Sequence, residues 1–265
     1  MSIVTLTTDF GLDSWLVGTM KGVIKKINPD VEIVDITHGV RPHNIFEAAF
    51  ALQNCYGYFP SGTIHTVVVD PGVGTERHAI IVKSPRYHFV APDNGVLSYA
   101  VETEQIERVV KIEKEKYLLL PTSATFHGRD VFAPVSAYLS LGVEAEEFGP
   151  TLEKLTKLKP SVPQKIGERE IVGHILCVDP FGNLITDVTE SFVEELLKPW
   201  KSGRFRILIR DRQIDRICRT YSEGRQNEII ALVGSSGYLE ICINRGRASD
   251  VLDMKEEGKF ILRVL

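Results

Sequence analysis

The stretch of this chain that most restricts its fold is Thr63 to Val69, a β-branched run broken only by His65. A strand apolar on both faces meets water on neither, so it needs covering layers above and below. The flanking sequence supplies them. Ile3 to Thr8 is a second β-rich run, and Asp13 is placed to cap a helix reaching about Lys26. There Leu16, Val17, Met20, Val23, Ile24 and Ile27 recur at helical spacing. Asn28-Pro29-Asp30 stops that helix, and Val31 to Ile36 reads as the next strand. Asn44 can cap a helix from Ile45 to about Cys55. Ala79–Val82 and His88–Val90 add strands, and Val131–Leu141 is the last helix, with Pro134 tolerable in its first turn. Strands alternating with helices predict an α/β N-terminal domain with a mostly parallel layered sheet over residues 1–149.

After Gly149 the pattern changes. Pro150, Pro160 and Pro163 punctuate a Lys-rich stretch, so residues 150–167 read as a linker. Beyond it come short strands at Ile171–Val178, Leu184–Asp187, Phe205–Ile209, Glu228–Val233, Tyr238–Ile243 and Phe260–Leu265. Only Glu190–Leu197 looks helical, which predicts a small all-β, barrel-like C-terminal domain over 168–265. With 43% of 265 residues hydrophobic, a disordered chain is excluded. The net charge of −4 argues against a nucleic-acid binder, which needs clustered cations. No apolar stretch approaches the roughly 20 residues of a membrane span. The start, Met1 to Thr5, has neither the basic residues nor the apolar run of a leader, so a soluble cytoplasmic protein is expected. Cys55, Cys177, Cys218 and Cys242 lie far apart with no CxxC pair, and no metal is expected.

Four loops of the first domain carry polar groups at strand or helix ends, where open α/β sheets bind ligands. Asp9, in Thr8-Asp9-Phe10-Gly11, could accept two hydrogen bonds from a ribose diol or merely cap a turn. In Asp70-Pro71-Gly72-Val73-Gly74-Thr75-Glu76-Arg77 the glycines permit close backbone approach, but Arg77 stands where a dinucleotide fingerprint has its third glycine. Asp70 and Arg77 could form a structural ion pair, the commoner outcome, or jointly hold a polarised water. Asp93-Asn94-Gly95 is first of all a turn signal. His127, before Gly128 at a loop–helix junction, faces a cleft more readily than His65 or His88 in their β runs. In the second domain, Asp179-Pro180-Phe181-Gly182-Asn183 and Gly234-Ser235-Ser236-Gly237-Tyr238-Leu239-Glu240 also read first as turns. Their functional readings are an aromatic face for a base at Phe181, an amide for its edge at Asn183, and hydroxyls for a carboxylate at Ser235 and Ser236.

Together these motifs resemble the S-adenosyl-L-methionine hydroxide adenosyltransferase family, relatives of the fluorinase and chlorinase. The matching pieces are Thr8–Gly11, Val17–Gly22, Asn44–Phe50, Asp70–Arg77, Pro92–Gly95, Phe126–Asp130, Asp179–Asn183 and Gly234–Glu240. The resemblance implies a homotrimer that binds its ligand between subunits. It implies hydrolysis of S-adenosyl-L-methionine to adenosine and methionine, with no cofactor. Asp70, Arg77 and His127 correspond to a hydrolytic triad. Asp9 would hold the ribose, Phe181 and Asn183 the adenine, while Asp179, Ser235, Tyr238 and Glu240 would address the amino-acid end or line the pocket. The halogenases carry Tyr where this chain has Asp70, and the fluorinase has Ser at Gly128; both differences favour water as nucleophile. Arg41 and Trp15 depart from the family pattern outside the triad. The rival expectations are a non-catalytic adenosine or adenosylmethionine binder and a halide-using adenosyltransferase.

Overall fold

The computed structural model describes residues 2–199 and 204–265. Two compact units divide at Leu158 and Lys159. In the first unit the strands are β1 (Ile3–Thr8), β2 (Glu32–Thr37), β3 (Ile64–Val68), β4 (Ala79–Lys83), β5 (His88–Pro92) and β6 (Arg108–Lys111). The helices are α1 (Trp15–Ile27), α2 (Ile45–Gln53), α3 (Ser98–Thr103) and α4 (Ala133–Ser140). Sheet order is β2-β1-β3-β5-β4-β6. Pairings among β2, β1, β3 and β5 are parallel, whereas β4 runs antiparallel to both β5 and β6. The sheet is therefore mixed rather than mostly parallel throughout. The reason is local: only Ser84 to Tyr87 join β4 to β5, too few residues for the crossover that a parallel pair needs.

β3 is buried along its whole length, as its composition requires. Ile64 and Val68 pack with α1 and α4 residues such as Met20, Ile24 and Val135, while Val67 and Val69 pack with Ala48 and Leu52 of α2 and Ala100 of α3. Helices thus cover both faces. α2 begins where expected, with the Asn44 side chain accepting from the Glu47 N–H. α1 begins at Trp15 after Ser14 instead of at an Asp13 cap, and no side chain caps it. Thr151 bridges back to Val110, and Leu152 and Leu155 pack on the same core as α2 and α3.

The second unit contains β7 (Gln164–Lys165), β8 (Glu170–Val178), β9 (Leu184–Thr189), α5 (Glu190–Leu197), β10 (Phe205–Ile209) and β11 (Arg212–Ile214). It continues with β12 (Ile217–Cys218), β13 (Ile229–Val233), β14 (Tyr238–Ile243), α6 (Ala248–Val251) and β15 (Lys259–Val264). The order β11-β10-β15-β8-β9-β14-β13-β12 is antiparallel except between β12 and β13. β8 pairs with β15 through its first half and with β9 through its second, with a register shift between Ile175 and Cys177. Such a shift bends a strand and strengthens its twist. The sheet curls as half a barrel but its outer strands β11 and β12 do not pair, and α5 and α6 make the unit other than all-β.

Candidate active site

Two loops meet at the carboxyl ends of the N-terminal strands because Gly74 lets them. Its φ is +77°, and a Cβ there would overlap the carbonyl oxygen of Ala124. That approach brings the loop after β3 against the loop ending in His127. Arg77 donates from Nε to Asp70 Oδ1 at 2.9 Å and from a terminal nitrogen to Asp70 Oδ2, a two-pronged pair. The same terminal nitrogen stands 2.7 Å from His127 Nδ1. The Arg77 guanidinium also lies over the Phe132 ring, 5.4 Å from its centroid. Both side chains of the pair are nearly buried, at 10% and 5% exposure.

These contacts fix the imidazole's proton. A guanidinium only donates, so Nδ1 of His127 must offer its lone pair and the neutral ring carries its hydrogen on Nε2. Burial, and then the Arg77 charge, push the His127 pKa below its ordinary 6.5, while Asp70 and Asp130 pull the other way. The ring is held neutral at pH 7. The His127 loop is itself pinned by Asp130, which is fully buried and accepts from the Ser123 N–H at 2.8 Å and from the Arg129 guanidinium. Residues Gly128–Phe132 form one π-helical turn before α4, which the sequence pattern did not distinguish from the helix proper.

Asp9, Asp70 and His127 line one cavity of about 320 Å³, together with Phe10, Leu16, Pro42, His43, Val68, Val73, Thr125, Phe126 and Gly128. Asp9 Oδ2 accepts the His43 N–H at 2.8 Å. His43 sits at φ 69°, a conformation rare for a side-chain-bearing residue. This role of His43 is invisible in sequence, since it uses a backbone group. Asp93 and Asn94 do not line the cavity; they serve the backbone at Thr156, Val69 and Val96. His65 is buried between rings, bonded to Thr5, and its pKa is lowered to about 3 by burial.

In the C-terminal unit, Phe181 and Asn183 line a second cavity of about 520 Å³, joined by Tyr221, Ile243, Arg245, Gly246 and Arg247. Asp179 is spent locally: Oδ1 accepts the N–H groups of Phe181 and Asn183, and Oδ2 accepts from the Asn183 amide at 2.8 Å. It thereby orients Asn183 with its carbonyl oxygen still unspoken for by that bond. Phe181 stands 76% exposed. Glu240 is buried and accepts from the Tyr221 hydroxyl at 3.2 Å; desolvation raises its pKa. Gly234 lets the Glu240 carboxylate lie close against the backbone, since a Cβ there would displace it. Ser235 is exposed and Tyr238 half-buried on β14, and neither lines this cavity. The Ser236 hydroxyl is buried with no partner. Tyr221, Arg245 and Arg247 escaped the sequence reading because they lie in turns far along the chain from Phe181.

No group of three or more His, Cys, Asp or Glu side chains is arranged for a metal, and no helix is long and apolar enough to cross a membrane, among the described residues. The N-terminal domain model of the SAM hydroxide adenosyltransferases matches residues 4–149, and the C-terminal domain model matches 173–260. A (R)-S-adenosyl-L-methionine hydrolase of Methanocaldococcus jannaschii is 36% identical, over 96% of this chain and 93% of that protein. Another so named, of Thermus thermophilus, is 35% identical over 97% of both. A fluorinase of Nocardia brasiliensis is 24% identical over 73% of each chain. A solved Thermotoga maritima structure superposes with TM-score 0.88 at 36% identity, covering all of both chains. On these matches to both of its parts, the chain belongs to the SAM hydroxide adenosyltransferase family.

Proposed function

We propose that this protein hydrolyses S-adenosyl-L-methionine to adenosine and L-methionine. The observation that carries the reading is the interlocked Asp70–Arg77–His127 group, whose Asp70 and His127 line the N-terminal cavity with Arg77 joining them from behind. The sulfonium makes the ribose 5′ carbon electrophilic, and methionine leaves as a neutral thioether, so no acid and no cofactor is needed for departure. What is needed is a water held in line behind that carbon and relieved of its proton. A new C–O bond forms from the water oxygen as the C–S electron pair returns to sulfur.

The roles follow from the hydrogen bonding. His127 offers Nε2–H to the water oxygen, since its Nδ1 is taken by Arg77. Arg77 stabilises the negative charge as it develops. Asp70 keeps lone pairs beyond those that face Arg77, and it receives the proton. Asp9 holds the ribose diol. Phe181 stacks on adenine and the Asn183 carbonyl accepts from its amino group. Asp179, Ser235, Tyr238 and Glu240 shape the end that receives the amino-acid moiety, Asp179 and Glu240 by holding other groups in place. Supporting this division are the orientation of Asn183 by Asp179 and the exposure of Phe181.

The assembly in this reading is a homotrimer, in which the cavity of one subunit is completed by the C-terminal pocket of its neighbour. Leu12, Trp15 and Phe181 favour it, being large apolar side chains left in solvent. The enzyme is read as cytoplasmic, with neither nucleic acid nor membrane as partner. Relatives are named for the (R) form of the substrate, so the assay supplies each sulfonium epimer separately. Chromatography should show adenosine and methionine in equal amounts. Binding without products would establish the non-catalytic reading, and 5′-chloroadenosine in concentrated chloride would establish the halide-using one.

A further inference from the structure

We propose that Lys21, Asp35, His38 and Thr8 form a polar strut that sets the position of the Asp9 carboxylate. The inference rests on the reading of Asp9 as the diol-holding group and extends it to four residues outside the cavity wall. Thr8 ends β1, and the segment from Asp35 to His38 ends β2 and leaves it; α1 supplies Lys21 from above. His38 Nδ1 lies 2.9 Å from the Thr8 hydroxyl, and both residues are buried, at 3% and 0% exposure. On its other side, His38 Nε2 stands 3.0 Å from Asp35 Oδ1, close enough to pair although out of line for a straight hydrogen bond. Asp35 Oδ2 takes the Lys21 ammonium at 2.5 Å.

The far end of the strut holds the backbone that follows Asp9. The Phe10 N–H donates to the Thr8 hydroxyl oxygen at 3.2 Å, and the Gly11 N–H donates to the His38 carbonyl at 2.8 Å. Asp9 is therefore bracketed by Thr8 before it and by two anchored N–H groups after it. The proton arrangement is consistent along the chain. The Asp35 carboxylate favours hydrogen on Nε2, which leaves Nδ1 to accept from Thr8, whose oxygen in turn accepts from Phe10. An apolar residue at position 38 would fill the buried site but hold neither the Thr8 hydroxyl nor, through it, the Phe10 amide. These are positioning residues; none reaches a reacting atom.

The test compares adenosine with 2′-deoxyadenosine, which lacks one of the two hydroxyls that Asp9 would hold, by calorimetry on the intact protein. The wild-type protein should prefer adenosine by about tenfold or more, the scale of a hydrogen bond to a charged group. In Thr8→Val, nearly the same shape without the hydroxyl, that ratio should collapse toward one because adenosine binding weakens, and Thr8→Ser should restore it. A role confined to stability would weaken both nucleosides together and leave the ratio intact. Should Thr8→Val fail to fold, Asp35→Asn at a partly exposed position carries the same expectation. Loss of the ratio in Asp9→Ala together with its retention in the folded strut variants overturns the strut alone. Retention in Asp9→Ala itself overturns both the strut and the role of Asp9.

Discussion

The two cavities are built on opposite plans. Around the N-terminal one the charged groups are already engaged with each other: Arg77 with Asp70 and His127, Asp9 with the His43 backbone. Around the C-terminal one a large aromatic ring stands in solvent and an amide keeps an oxygen free of its holding bond. Chemistry needs dipoles fixed before the substrate arrives, because reorganising them at the moment of reaction would raise the barrier. Recognition tolerates groups that settle on their ligand, at a modest cost in side-chain freedom. The division teaches that damage to the Asp70–Arg77–His127 group should remove rate, and damage to the second cavity should remove affinity.

The sharpest way to break this comparison is Asp70→Asn, which keeps the side chain's shape and removes the proton acceptor. Turnover should fall by about 10²–10⁴-fold while adenosine still binds, by product assay and calorimetry. Undiminished turnover would remove Asp70 from the mechanism. Arg77→Met should act on stability as well, by about 3–5 kcal/mol, since it strands a buried carboxylate. The double variant Asp70→Leu with Arg77→Met should recover much of that loss in urea unfolding without recovering activity. If the double variant is no more stable than the single, the pair is not the buried unit described.

Phe181→Ala probes the other side. It should weaken adenosine binding by about 1–3 kcal/mol, the range for stacking a base on an aromatic ring, and leave the rate at saturation near wild type. A lost rate with unchanged affinity would reverse the assignment of the two cavities. The smallest expected effect is in pH. Because burial and Arg77 lower the His127 pKa, the ring is still mostly neutral at its ordinary 6.5. Activity should therefore hold as pH falls through 6.5 and decline only at lower pH, where protonated Nδ1 would turn a donor toward Arg77. Arg77→Lys keeps the lowering charge, so that acid limb should stay put, whereas Arg77→Met removes it and should move the limb upward, read from residual kcat/KM profiles.

Much of the fold was legible in sequence where packing dictates composition. β3 declared itself because a strand covered on both faces admits little but branched apolar residues. α5 was found at its observed bounds, Glu190–Leu197, with the Thr189 side chain capping it. α3 and β6 were not seen: six and four residues are too few for a period to register, and α3 has no side-chain cap. The open edge of the C-terminal sheet was equally hidden, because alternation marks a half-buried strand without saying which strand lies beside it. At the site, sequence offered two rival readings of Asp70 and Arg77, as an ion pair or as a catalytic pair. The structure shows the ion pair, and its place on a cavity wall next to His127 makes the two readings compatible.

By itself the sequence determined the layering of the first unit, the change of architecture after it, and the family to which the motifs belong. Those properties follow from local pattern: which residues can be buried, how often, and where glycine and proline interrupt them. Only the tertiary structure decided that Asp70, Arg77 and His127 touch, that His127 must carry its proton on Nε2, and that the His43 backbone holds Asp9. Arg77 and His127, 50 positions apart, and Asp9 and His43, 34 apart, meet through loop approach and backbone geometry, and neither leaves a period in the chain.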